Sequence, residues 1–180
     1  MLGKRLLIRP YLPEDALAHA EAVRETAESG QRWLNWMDED YPDSESRSWL
    51  ALSQAALAKN IAFDMGIFEN RGGRFVGAIA INRLEWNYRS GNLGYWIRAS
   101  ASGSGFATEA VQLMADYAFH ALQLNRLELV IAEQNWASRR VAEKANAQFE
   151  CLARSRVIDY GKPVHAAIYS LIPDDLLTSI

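Results

Sequence analysis

The chain has 180 residues, 49% of them apolar and 23% charged, with a formal net charge of −3. That is the size and composition of one domain able to bury its own core, and the acidic balance argues against a nucleic-acid partner. A lone cysteine, Cys151, excludes an internal disulfide and suits a reducing compartment, where it reads as a small core residue on a strand. No apolar run approaches the roughly 20 residues that span a bilayer, and no long apolar region precedes Pro10 as a secretion signal requires. The expectation is a single cytoplasmic domain over 1–180, without repeats or linkers.

In chain order, Leu6 to Arg9 read as a strand stopped by Pro10. Pro13-Glu14-Asp15 opens a helix whose apolar face is Ala16, Ala20, Val23 and Ala27. An irregular aromatic stretch, Gln31 to Ser46, leads to a second helix, with Asp43 as its cap, Glu45 in its first turn and a stripe of Trp49, Leu52 and Ala56. Strands resume at Ala62 to Phe68, turn at Arg71-Gly72-Gly73 and return antiparallel from Phe75 to Ile81. Trp86 and Trp96 read as core, the latter in a strand from Leu93 to Ile97.

A helix from Phe106 to Leu122 shows Phe106, Ala110, Leu113, Met114 and Tyr117 on one face. Leu127 to Ala132 reads as a strand covered on both sides. Asn135 caps a short helix from Trp136 to Ala145, and Asn146 suits the left-handed position that ends it. Phe149 to Val157 and Ala166 to Ile172 form a hairpin around Asp159 to Pro163. The order β-α-α-β-β-β-α-β-α-β-β places the chain in the α/β (α+β) class, a mixed sheet with helices packed on it.

One stretch carries chemistry. Residues Gly94 to Ala110 run from strand through a segment of small residues into a helix, with Gly103 and Gly105 at the turn. Such a turn leaves backbone N–H groups unpaired at the positive end of a helix, a site for phosphate. Plain turn geometry is the alternative reading. A dinucleotide-binding GxGxxG turn does not fit, because Thr108 stands at the third glycine position and the preceding strands look antiparallel.

The segment Ser102-Gly103-Ser104-Gly105-Phe106-Ala107 resembles the cofactor loop of the GCN5-related N-acetyltransferases (GNAT), with Ser102 in place of the usual leading Arg or Gln. Asn135 to Lys144, NWASRRVAEK, is similar to the NxxSrrvaEK segment of the same superfamily. With WLNWMDEDYPDSES near the front and HAAIYSL at the end, the chain resembles the branch of ribosomal-protein alanine and serine N-terminal acetyltransferases. The resemblance implies a mixed, mostly antiparallel sheet of about six or seven strands flanked by about four helices.

It also implies roles. In acetyl transfer a neutral amine attacks a thioester carbonyl, an oxyanion develops, and CoA leaves as a thiolate that needs a proton. The resemblance implies that the backbone of Trp96, Ile97 and Arg98 pairs with pantetheine and steadies the oxyanion. Gly103, Ser104, Gly105, Phe106, Ala107 and Thr108 then hold the pyrophosphate of acetyl-CoA, and Ser102 weakens that grip without abolishing it. Asn135 hydrogen-bonds the pantetheine arm, a role compatible with capping. Ser138 is the catalytic residue, facing the sulfur as acid for the thiolate; it also reads as an exposed polar residue in a first helical turn.

No general base is assigned. The strand position where some relatives carry a carboxylate matches Val157, and Asp159, Glu133 or a water chain from Asp38-Glu39-Asp40 are the substitutes. That acidic run also reads as a solvated loop. Trp33, Trp36 and Tyr41 lie in the segment that forms the acceptor wall in relatives, although aromatics at this density also pack cores. Of Arg139 and Arg140, one is directed at the CoA phosphates and the other at solvent. His120 and His165 lack the spacing of a metal pair, so no metal site is expected; His165 stands where relatives often carry Asp.

The function expected from the resemblance is acetyl-CoA-dependent transfer to a primary amine, that of a peptide N-terminus. The alternatives are a small-amine acceptor (polyamine, amino acid or antibiotic) and a weakly catalytic acyl-CoA-binding module. No nucleic acid and no membrane enter any of these readings, and relatives are often homodimers.

Overall fold

The computed structural model describes residues 1–176. In chain order the elements are β1 (Leu6–Pro10), α1 (Ala16–Gly30), α2 (Asp43–Ala58), β2 (Phe63–Glu69), β3 (Phe75–Glu85), β4 (Ser90–Ile97), α3 (Phe106–His120), β5 (Arg126–Ala132), α4 (Trp136–Lys144), β6 (Gln148–Asp159), β7 (Lys162–Leu171) and α5 (Pro173–Leu176). The strands form one sheet in the order β1-β2-β3-β4-β5-β7-β6. Every neighbouring pair is antiparallel except β4 and β5, which run parallel. This is the mixed sheet that the element order implied, mostly antiparallel as the family resemblance implied.

Successive strand residues face opposite sides, so the two helical layers sort the sheet's side chains. On one side Ile67, Val76, Ile79, Ile81 and Leu93 meet the α3 face of Ala110, Val111, Met114, Ala115 and Ala118. On the other, Phe68 and Phe75 pack with Tyr11, Ala16, Ala22 and Leu50. The predicted α1 stripe of Ala16, Ala20, Val23 and Ala27 is buried throughout. Asn146, at φ 68°, ends α4 in the left-handed conformation.

Several local expectations are corrected. Asp43 opens α2 as its first residue rather than capping it, since Pro42 stands at the cap, and its carboxylate accepts a hydrogen bond from Arg24 Nη1 at 2.9 Å. The face α2 buries is Ser46, Leu50 and Ser53, whereas Trp49 and Leu52 are 43% and 64% exposed. The small Ser46 lets α2 approach α1 closely enough for its hydroxyl to meet His19 Nδ1 at 2.8 Å. Trp86 is exposed because β3 and β4 run longer than expected and leave it at the hairpin turn. Cys151 is exposed, because β6 is the edge strand and most of its residues face solvent. On β5 only Leu127, Leu129 and Ile131 are buried, alternating with half-buried residues, so the strand is fully covered on one face only. The one-turn α5 lies outside the expected elements, although Pro173 at its first position and Asp174 and Asp175 in its first turn are helix-start signals.

Two features tie β4 to its surroundings. A Cβ on Gly77 of β3 lies 2.2 Å from Trp96 O, so only glycine allows the two strands their spacing. Beside it, the fully buried His19 packs among Tyr11, Tyr41, Phe75 and Trp96.

Gly77→Ala is expected to cost about 1–3 kcal/mol by overpacking, seen as a lower denaturant midpoint at unchanged slope. An unchanged midpoint would mean that Trp96 O yields without strain. Burial holds the His19 imidazole down to about 4. The unfolded chain therefore binds more protons between that value and the ordinary one near 6.5, and stability rises with pH across this window. Asp64, which burial raises to about 6, acts in the opposite sense there. The comparison is therefore with His19→Gln, whose loss of stability between pH 6.5 and 4 should be smaller by on the order of 3 kcal/mol. Equal losses would remove His19 from the account.

Candidate functional site

β4 and β5 pair only through Ser90–Asn92 and Arg126–Glu128. Beyond Asn92 they part, and a cleft of about 720 Å³ opens between them, within the size range of ligand pockets. The β4 edge facing it is chemically selective. Arg98 N–H donates to Val76 O at 2.9 Å, on the β3 side. Residues of an antiparallel ladder alternate in the direction of their N–H and C=O groups. Trp96 and Arg98 are therefore turned to β3, while Tyr95 and Ile97 present theirs to the cleft. Of the three residues expected to serve through their backbone, Ile97 alone is so placed, and Tyr95 joins it.

The glycine loop closes one end. Gly103 and Gly105 have φ of 77° and 82°, the left-handed region where a side chain is disfavoured. Gly105 caps α3 without any side-chain bond. Among the described residues, the N–H groups of Gly103 through Thr108 find no partner, whereas that of Ser102 donates to Ala99 O. A concave row of unpaired donors at a helix N-terminus, lining a cleft, is matched to an anion such as a pyrophosphate. Ser102 lines the cleft beside them.

Ion pairs fix this loop from both sides. Arg98, buried, donates to Glu21 at 2.8 Å, to Phe75 O at 3.1 Å and to Glu25. Glu25 also accepts from Ser100 N–H at 2.7 Å, while Ala99 N–H reaches Thr26 Oγ1 at 3.1 Å. The guanidinium beside it, helped by Ser100, holds the Glu25 carboxyl down to about 2. From the other side Arg5 donates to Ser104 O and Glu109, and Glu109 accepts from Arg5 N–H and Leu6 N–H.

The opposite wall of the cleft is the first turn of α4. Asn135 Oδ1 accepts from Ser138 N–H at 3.1 Å, the expected cap, and both residues line the cleft. Ser138 Oγ lies 2.8 Å from Tyr95 Oη. Burial pushes the Tyr95 phenol up to about 12, against the pull of its bond to Ser138, so it remains a proton donor at neutral pH. A phenol donating to the serine leaves the serine hydroxyl hydrogen free to point into the cleft. Tyr95 went unnoticed in the sequence, although alternation along Leu93–Ile97 puts it on the α3 side with Ile97. Arg139 is occupied, by Glu133 O, Tyr169 Oη and the Trp136 ring, whereas Arg140 and Lys144 line the cleft without ion pairs among the described residues.

At the far end, Trp33 and Ala132 belong both to this cleft and to a second cavity of about 280 Å³ lined also by Glu133, Gln134, Asp159 and His165. Arg32 binds two of these lining residues, donating to Asp159 Oδ2 at 3.1 Å and to Gln134 Oε1 at 3.0 Å while stacked 4.4 Å over Trp33. Val157 faces the cleft. Trp36 stands outside both cavities at a 43% exposed position against Tyr41 and Trp96, and Tyr41 is buried behind it. Asp38, Glu39 and Asp40 are exposed and line neither cavity.

The sequence profile described as Acetyltransferase (GNAT) domain matches residues 5–148. A Bacillus subtilis protein described as probable N-acetyltransferase YjcK is 31% identical over 176 residues, covering 96% of this chain and 97% of that protein. The structure of a candidate ribosomal-protein-serine acetyltransferase from Vibrio cholerae superposes with a TM-score of 0.83 at 27% identity, over 96% of each chain. RimJ of Mycobacterium smegmatis, in complex with CoA-disulfide, shares the fold with a TM-score of 0.87 at 24% identity, over 95% of this chain and 83% of that one.

Gly105→Ala forces a side chain into the left-handed region, costing about 1–2 kcal/mol, and sets its Cβ 3.4 Å from Arg5 Nη2. Titration with coenzyme A should show several-fold weaker binding. Unchanged affinity would mean that the loop does not hold the ligand.

Proposed function

The chain belongs to the GNAT acetyltransferase family and is an N-acetyltransferase; on that premise we propose that it uses acetyl-CoA as donor and acetylates the primary amine of a protein N-terminus. The observation that carries the donor is the row of unpaired N–H groups from Gly103 to Thr108 at one end of the β4–β5 cleft, with the Ser138–Tyr95 pair in its wall. Arg140 and Lys144 add positive charge along the same wall.

Acetyl-CoA supplies an acyl group activated as a thioester. Gly103 to Thr108 hold its pyrophosphate, and the free N–H and C=O groups of Tyr95 and Ile97 pair with the pantetheine arm as a neighbouring strand would. Their N–H groups also face the zone where negative charge gathers on the acyl oxygen, and donors fixed in advance stabilise that charge without reorganising. Ser138, held by Tyr95 Oη and the Asn135 cap, donates a proton to the departing sulfur and recovers one from the nitrogen of the tetrahedral adduct, so that amine and thioester become amide and thiol. Two neutral hydroxyls suit this task, because neither is ionised before the sulfur leaves.

The N-terminal acceptor is supported by the likeness to the Vibrio cholerae protein. A small amine is the second reading, favoured by the size of the second cavity and by its two carboxylates, Glu133 and Asp159. Thiol release from acetyl-CoA with peptides bearing free Ala or Ser N-termini, set against spermidine and single amino acids, separates the two. Release with none of them would overturn the enzymatic reading of this site.

With an active acceptor in hand, Ser138→Ala should lower kcat by about a hundredfold at unchanged CoA affinity. Tyr95→Phe, which deletes one hydrogen bond, should lower it roughly tenfold. Turnover unaffected by Ser138→Ala would remove the serine from the mechanism.

A further inference from the structure

Four glycines stand inside strands among the described residues, and at three of them a side chain would crowd a neighbour. A Cβ on Gly66 lies 2.6 Å from the Phe68 ring, one on Gly77 lies 2.2 Å from Trp96 O, and one on Gly91 lies 2.8 Å from the Ile81 side chain. Gly94 of β4 has no such reason. Its φ lies outside the left-handed region, it pairs in register with Ala80, and a Cβ there meets no atom of the described residues within 4 Å. Glycine in a strand interior weakens the strand, and it marks places where a ligand comes close to the backbone. Gly94 is half-buried and lines the cleft.

Alternation along β4 turns Gly94 to the α1 side of the sheet with Trp96, and Tyr95 to the α3 side, where it meets Ser138. Across the gap Val130 and Ala132 alternate with Leu129 and Ile131 of the α3-facing core, so they share the side of Gly94, and Leu34 lines the same cleft. The Tyr95 N–H follows directly on Gly94 and points into the gap, in the plane of the sheet. A carbonyl oxygen accepts best from a donor near the plane of its own substituents. An acyl group held by that N–H therefore keeps its oxygen, sulfur and methyl near the sheet plane. Attack on a carbonyl carbon comes from above or below its plane, so the amine travels along the sheet normal. Tyr95 and Ser138 fill the α3 side; the α1 side over Gly94 is open.

We infer that Gly94 is a specificity-determining residue: its missing side chain is the room through which a neutral amine reaches the acyl carbon, and the carbon bearing that amine rests over Gly94. The space admits an acceptor branched at this carbon, the α-amine of a peptide, together with its first side chain. The nitrogen lone pair forms the C–N bond, the C–S bond breaks, and the sulfur takes its proton from Ser138, which recovers one from the nitrogen. This rests on the acetyl-transfer reading and adds the position that sets the shape of the acceptor. Gly94 acts by contact alone and moves no proton.

The test uses the full chain with acetyl-CoA and two hexapeptides that differ only in a first residue of Ala or Gly, with spermidine as a third acceptor. Gly94→Ala places a methyl group in the space. It should lower kcat/KM for the Ala peptide about tenfold more than for the Gly peptide. CoA affinity should be unchanged, and the thermal midpoint no lower than that of the unsubstituted protein, since alanine suits a strand interior better than glycine. Gly94→Val, a strong strand former, should widen the difference to about a hundredfold. Propionyl-CoA in place of acetyl-CoA should leave both ratios as they are, because the acyl chain stays in the sheet plane. Turnover unchanged or equally reduced with both peptides, an effect confined to propionyl-CoA, or a lowered midpoint with a matching fall in CoA affinity would overturn the assignment of Gly94 while leaving acetyl transfer intact. Release with spermidine alone would do the same. No release by the unsubstituted protein with any of the three acceptors would overturn the acetyl-transfer reading and this inference with it.

Discussion

The parting of β4 from β5 after Asn92 is the constraint from which the rest of the site follows. Two parallel strands that begin as neighbours and then diverge leave a row of backbone donors and acceptors without a strand partner, half-buried along the wall of a cleft. Unpaired backbone groups in such a place are unfavourable unless something supplies the missing strand. An extended amide-bearing ligand arm is chemically equivalent to one. The glycine loop and the α4 cap stand at two points along that gap, so one defect in pairing defines the ligand's path.

Keeping the gap rigid requires ties from elsewhere. Arg98 closes β4 with its N–H on Val76 and sends its side chain through the structure to Glu21 and Glu25 on α1. Glu25 then reaches back to Ser100, just ahead of the glycine loop. Arg5 and Glu109 fasten the other side of that loop to the start of β1. The loop's own residues are small and contribute few contacts, so its geometry is imposed by charged residues distant in sequence. Gly77 and the neutral His19 serve the same strand from beneath, one by yielding space to Trp96 O and the other by packing against the indole.

Features set by local chemistry were legible before any coordinates. Alternation and turn residues placed the strands, the Gly103–Gly105 turn located the unpaired donors, and Asn135 declared itself as a cap. What failed depended on neighbours. On α2 the large apolar Trp49 and Leu52 suggested a buried stripe, yet the buried face is Ser46, Leu50 and Ser53, where two small serines flank the one large apolar residue and let α2 approach α1. Trp96 drew attention for its size, while the hydroxyl that meets Ser138 sits on its neighbour Tyr95. Asp159 could be named as a carboxylate near the right strand, but its pairing with Arg32 joins residues that no local pattern relates.

That pairing spans 127 positions. The residues that shape and tie down the glycine loop (Arg5, Glu25, Arg98 and Glu109) all lie at or before position 109. The second cavity, by contrast, is walled in part by the hairpin of β6 and β7, the last strands to be made. Contacts of such separation wait for the chain between them to be placed and bear a larger closure entropy. During synthesis each molecule therefore carries the glycine loop and the residues that tie it down before the hairpin wall of the second cavity exists. A chain cut short ahead of Asp159 keeps the first and lacks the second.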